Sequence, residues 1–151
     1  MSDRVLDATI IAFSSSDLAA REQGNSIDLR LTVIEEVVKG DYCLRYNARL
    51  LHEYRQVSRG YQNDVTELFF RVLDSSNSIL VQRSSLARQH FAVAVTKCGW
   101  PSHDQHLIAA ALNGANPEIF VTEQKHAICA QGIYRNLGIR ICHINKQSDI
   151  T

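Results

Sequence analysis

No apolar run in this chain approaches the roughly 18–20 residues that a membrane helix needs, so no membrane partner is expected. The opening Met1-Ser2-Asp3-Arg4 leads straight into Val5-Leu6-Asp7 with no basic segment, apolar segment or cleavage site. No secretory signal is visible there, and a cytoplasmic location is expected. The four cysteines, Cys43, Cys98, Cys129 and Cys142, make no CxxC pair and flank no His-based nucleophile signature. They read as reduced thiols packed as small apolar groups, which excludes a disulfide framework and a thiol nucleophile. Neither GxxxxGK[ST] nor GxGxxG occurs, so a nucleotide site would have only an alternating fold behind it. No charge of either sign dominates: 16 basic and 16 acidic residues cancel, which argues against an indiscriminate nucleic-acid coat. No internal repeat, low-complexity segment or linker divides the 151 residues, so one domain over 1–151 is expected. That length buries a real core, and 45% hydrophobic with 21% charged residues is the composition of an ordinary globular protein.

What charge there is lies unevenly. Residues 1–41 hold eight acids against four bases, whereas residues 42–88 hold seven arginines against four acids. Arginine outnumbers lysine twelve to four. Arginine makes planar, bidentate contacts to phosphate, so the group leans toward a phosphate-bearing partner, although any single one reads first as a solvated helix face or a salt-bridge partner.

Strands and helices alternate along the chain. Residues 5–13 form a continuous apolar run broken by Asp7 and Thr9, as a buried parallel strand would be. The polar stretch at 14–17 reads as a stop and a helix N-cap region. Ile27, Leu31, Ile34 and Val38 fall at helical spacing and predict a helix over 26–39 closed by Gly40. A strand over 42–46 follows, and Asn47 caps a helix over 48–59. Further helices are expected at 63–75, 85–98, 102–114 and 125–131, with strands at 79–81, 119–121 and 138–144. Such alternation means a parallel sheet covered on both faces by helices.

The acids give this pattern its chemistry. Asp7 stands between Leu6 and Ile10-Ile11, where a carboxylate is costly unless it is paired, hydrogen-bonded or bound to a cation. Glu53 lies beside the apolar face of its helix. Asp104 lies in a first helical turn, where the helix dipole favours negative charge. Each has a plain structural reading when taken singly. Together, on successive α/β elements, they can converge at the carboxyl edge of the sheet, with Glu123 at the end of the 119–121 strand. Clustered carboxylates repel one another, so convergence implies a divalent cation, and neutralising Asp7 or Asp104 is expected to relieve repulsion. His103, Asp104 and His106 suggest zinc instead, but only residues 103 and 106 share a helix face and no matching pair lies elsewhere.

These residues carry a resemblance over essentially the whole chain. Val5-Leu6-Asp7-Ala8-Thr9, Leu50-Leu51-His52-Glu53-Tyr54-Arg55-Gln56-Val57, Pro101-Ser102-His103-Asp104 with its alanine-rich helix, Phe120-Val121-Thr122-Glu123-Gln124 and Gly138-Ile139-Arg140-Ile141 resemble, in order, the motifs of the PIN domain family of metal-dependent nucleases. The resemblance implies a three-layer α/β/α sandwich with a central, mostly parallel sheet, and cleavage of nucleic acid, RNA before DNA. It implies Mg²⁺ or Mn²⁺ held by Asp7, Glu53 and Asp104, with Glu123 as a fourth ligand. Thr9, Arg45, Arg49, Thr122 and Gln124 would then lie on the substrate side. Similarity to the toxin ribonucleases of toxin–antitoxin pairs further implies a cognate antitoxin or complex protein and a homodimer, with the helices at 26–39 and 63–75 as the surfaces available. Two positions depart from the family pattern: Gln124 stands where an acid is common, and Thr9 where asparagine is common. The first departure leaves open a PIN-like module that binds RNA or a protein without cutting. A nucleotide- or sugar-binding α/β domain is the third reading.

Overall fold

In the computed structural model, residues 2–23, 29–59 and 63–144 are described. Five strands form one all-parallel sheet: β1 (Asp3–Leu6), β2 (Cys43–Tyr46), β3 (Ser78–Leu80), β4 (Glu118–Val121) and β5 (Arg140–His143), in the order β3-β2-β1-β4-β5. The first crossovers run from β1 through β2 to β3. The chain then returns to the far side of β1 for β4 and β5. Right-handed crossovers therefore place helices on both faces, giving a three-layer α/β/α sandwich. The winding reverses between β1 and β4, where Leu6 is paired with Phe120.

One layer holds α1 (Ala8–Ala12), α2 (Ser14–Glu22), α3 (Leu29–Val38), α4 (Ala48–Ser58) and α5 (Asp64–Leu73). In the other, α7 (Gln105–Ala111) lies across β1, β2 and β4, beside α6 (Arg88–Phe91) with its π-helical continuation Ala92–Lys97. Two more helices, α8 (Gln124–Ala127) and α9 (Ala130–Leu137), connect β4 to β5. The central strands are buried along most of their length: Val5, Leu6, Leu44, Ile119, Phe120 and Val121 are closed to solvent.

The strand expected over 5–13 divides in two. β1 ends at Leu6, Asp7 takes the N-cap position of α1 with extended backbone, and the apolar run continues as a buried helix carrying Ala8, Ile10 and Ile11. A strand covered on both faces and a buried helix are both apolar on every side, so the run alone does not separate them. The serine-rich segment expected to be a stop is α2. Its Ser14 bonds Thr66 on α5, and its Asp17 receives a bidentate pair from Arg30 at 2.8 and 2.6 Å. Three other expectations shift. The helix at 85–98 begins only at Arg88, that at 102–114 opens with the 3₁₀ turn Ser102–Asp104, and that at 125–131 is the pair α8 and α9. The helices offered as association surfaces spend their apolar faces inside. α3 buries Leu31, Val33, Ile34 and Val37, and α5 buries Val65, Phe69 and Val72. Residues 26–28 of the first lie outside the described residues.

Candidate functional site

Open α/β sheets bind ligands outside the carboxyl ends of their strands, where the winding reverses. Here that place is the crevice between the ends of β1 and β4. Asp7 follows the last residue of β1, and its amide donates to the Phe120 carbonyl at 3.0 Å. Glu123 follows β4. Asp104 sits where the 3₁₀ turn passes into α7. Glu53 comes from α4, whose start is fixed by Asn47: its Oδ1 accepts from the Leu50 amide, and its Nδ2 donates to the carbonyls of His106 and Arg83. The next residue, Tyr54, is buried and donates its hydroxyl to the Leu6 carbonyl, which ties α4 to the end of β1. The result is a cleft of about 260 Å³ lined by Asp7, Thr9, Glu53, Gln56, Asp104 and Glu123, with Ala8 and Val57 as its apolar lining. Larger hollows of about 400, 420 and 490 Å³ lie elsewhere among the described residues, and none gathers carboxylates around a buried, unpaired one.

The four acids are not equivalent. Asp7 is only 8% exposed, and among the described residues nothing donates a hydrogen bond to its side chain. Burial raises its pKa; the charge of His126 works against that, and the charges of Asp104, Glu53 and Glu123 reinforce it. Glu53 accepts from His106 Nε2 at 2.8 Å and from Arg49 Nε at 3.4 Å. Burial alone would raise its pKa, but those two partners outweigh it and hold the carboxyl below its ordinary value. Asp104 accepts from His126 Nε2 at 2.8 Å and pairs with Lys125 Nζ at 3.2 Å. Against the opposing effect of burial, these bonds draw its pKa down to about 2. Glu123 is half exposed and meets the same ammonium at 3.6 Å.

What sequence reasoning missed is His126, and the role of His106 as a partner of Glu53 rather than a zinc ligand. His106 and His126 are buried and donate to Glu53 and Asp104 across the cleft walls. The signal was a histidine on an otherwise apolar helix, at 106, and another just after a strand-end acid, at 126. The trio His103, Asp104 and His106 divides accordingly, since His106 turns to Glu53 while His103 stays 70% exposed.

The remaining expected site residues scatter. Thr9 and Thr122 meet, with the Thr122 hydroxyl donating to Thr9 Oγ1 at 2.8 Å across the crevice. Arg49 stands at the rim beside Glu53. Gln124 is exposed and does not line the cleft, so the strand-end acid facing it is Glu123. Arg45 does not face the cleft either, and its placement on the substrate side is corrected. Its buried guanidinium donates to the carbonyls of Ala110 at 2.7 Å and Leu112 at 2.8 Å, closing the last turn of α7, with Asp3 at 3.5 Å.

A hard divalent cation suits this donor set in kind. All four groups are carboxylates, and the side chain of the most buried has no hydrogen-bond partner among the described residues. As the side chains stand, no three of His, Cys, Asp or Glu among the described residues make a ready ligand shell, because Glu53 and Asp104 are turned to their imidazoles. Among the described residues no helix is long and apolar enough to cross a membrane. Compared with family models, with curated proteins and with solved structures, the chain matches none of them.

Proposed function

We propose that this protein is a divalent-cation-dependent phosphodiesterase acting on nucleic acid, an endoribonuclease of PIN type. The observation that carries the reading is the buried, unpaired Asp7 carboxyl facing three further carboxylates at the point where the sheet reverses. Asp7, Glu53 and Asp104, with Glu123, would hold Mg²⁺ or Mn²⁺. Such an ion supplies Lewis acidity toward a water and a phosphodiester oxygen. The protein does the positioning. His106 and His126 fix the rotamers of Glu53 and Asp104, much as second partners orient metal ligands elsewhere. The Thr9–Thr122 hydroxyl pair sets the width of the crevice, and Arg49 at its rim offers a phosphate contact that reads no base. RNA is favoured over DNA on the family resemblance, which also supports a cognate protein partner and a homodimer.

The test is cleavage of mixed RNA and single-stranded DNA with Mg²⁺, with Mn²⁺ and with chelator. Ion-dependent cutting of RNA, lost in Asp104→Asn, supports the reading. Cutting that is indifferent to the ion overturns it. The second reading, an RNA- or protein-binding module that does not cut, is favoured by the carboxylates already engaged by histidine and lysine. It predicts retention of RNA with no ion-dependent cleavage.

A further expectation concerns the departure at 124. Because Glu123 lines the cleft and Gln124 does not, Glu123→Gln should weaken Mn²⁺ binding by up to about tenfold, or about 1.4 kcal/mol, while Gln124→Asp changes it little. Calorimetric titration of both variants decides the point. A larger effect from Gln124→Asp would mean that residue 124 swings into the cleft.

A further inference from the structure

Cations are shared unevenly among the four acids. Lys125, the second residue of α8, reaches back over the cleft rim. Its ammonium lies 3.2 Å from Asp104 Oδ2 and 3.6 Å from Glu123 Oε2, with His103 Nε2 at 3.4 Å as a third contact. Across the cleft Asp7 has no counter-charge bonded to it. Arg49 serves Glu53. In sites that use two ions, the metals stand about 3.5–4 Å apart. Lys125 is the cation held between two of the acids, Asp104 and Glu123. Its side chain is 40% exposed, so it can withdraw to solvent without unpacking the core.

Resting on the metal-dependent reading above, we propose that the Lys125 ammonium is the resident counter-ion of the Asp104–Glu123 half of the cleft, standing where a second divalent cation would. The protein then takes one divalent ion, beside Asp7 and Glu53, and admits a second only when Lys125 is displaced. Lys125 is in this sense a positioning residue that sets metal stoichiometry. Its ammonium is a compact point charge on a flexible stem.

Calorimetric titration of the metal-free protein with Mn²⁺ tests this without reference to cleavage. Wild type should bind one ion per chain. Lys125→Met, which keeps the apolar stem and removes the charge, should bind two, or bind its second at least about tenfold more tightly. Lys125→Arg should restore single-ion stoichiometry or weaken the second ion again. Thermal melting gives an independent readout: without metal, Lys125→Met should melt below wild type, and saturating Mn²⁺ should raise its melting temperature more than that of wild type. Equal stoichiometry and equal affinity in wild type and Lys125→Met would overturn the inference while leaving the single-ion site intact. Absence of Mn²⁺ binding in the folded wild type, checked by circular dichroism, would overturn the metal-dependent reading and this inference with it. The Asp7→Asn protein should lose the first ion whatever residue stands at 125.

Discussion

Asp7→Asn is expected to lower Mg²⁺- or Mn²⁺-dependent cleavage of RNA at least about a hundredfold, the scale on which losing one transition-state electrostatic contact acts, and at the same time to raise the melting temperature of the metal-free protein. The two effects come from one cause. Asp7 is buried beside three other carboxylates and has no donor bonded to it, so its proton is held more tightly in the folded chain than in the unfolded one. From the ordinary carboxylate value up to its raised folded value, stability falls as pH rises, and at neutral pH the ionised group is a net cost. An asparagine removes that cost. At this chain length each kcal/mol recovered moves the midpoint by about 2–4 °C. The advantage of the variant should shrink as pH falls through the raised value, because wild-type Asp7 then becomes neutral too.

Asp104→Asn should behave in the opposite way in the melt. Its folded pKa is drawn down to about 2 because bonds from His126 and Lys125 outweigh burial, so the ionised group stabilises the fold. That contribution is present above the ordinary carboxylate value and is lost as pH falls toward about 2. Relief of repulsion was expected at both positions, yet only Asp7 lacks partners. Matched melts of the two variants from pH 4 to 8 check this. A rise in midpoint for both variants would mean that repulsion dominates the whole cleft.

The second large effect lies away from the cleft. Asp17→Ala should destabilise the protein by about 3–5 kcal/mol, the usual result of removing one partner from a buried ion pair. In melting temperature this is a fall on the order of 10 °C. Asp17 is 2% exposed and bonds Arg30 through both oxygens, and the guanidinium also stacks 3.9 Å from the Phe13 ring centroid. Loss of Asp17 strands a buried cation between α2 and α3. The double variant Asp17→Leu with Arg30→Met should recover much of the loss, since an apolar pair of similar volume carries no desolvation penalty. Chemical denaturation of the single and double variants measures both. An Asp17→Ala protein as stable as wild type would show that solvent reaches Arg30.

Residue pattern carried the architecture further than it carried the site. The alternation of apolar runs and amphipathic segments was enough for a parallel sheet between two helical layers. Asn47 was legible as a cap because its residue type and the apolar helical face after it agree, and its side chain does accept from the Leu50 amide. The end of β1 was not legible, because Val5 to Ile11 is buried whether strand or helix. Asp17 and Arg30 counted only as members of opposite charge totals, and nothing local says that they meet in the interior. The acids Asp7, Glu53, Asp104 and Glu123 were found because carboxylates beside apolar runs need a reason, and they share one cleft. Their partners were harder to find. His106 and His126 lie 53 and 22 residues from the acids that they serve, and such pairings exist only once the sheet is assembled. Arg45 was misplaced for the same reason: its basic neighbourhood suggested phosphate, while the fold directs it to the carbonyls at the end of α7.

One ring in this arrangement gives the cleft an optical handle. The chain holds a single tryptophan, Trp100, which is 1% exposed. Its indole N–H donates to the Asp104 carbonyl at 2.9 Å, and its ring centroid lies 4.7 Å from that of His126. The only indole fluorophore of the protein therefore touches both members of the Asp104–His126 pair. An ion or a phosphate that draws Asp104 away from the imidazole must change the surroundings of that ring. Occupancy of the cleft can thus be followed by intrinsic emission, in unlabelled protein and on the timescale of mixing, long before any product accumulates.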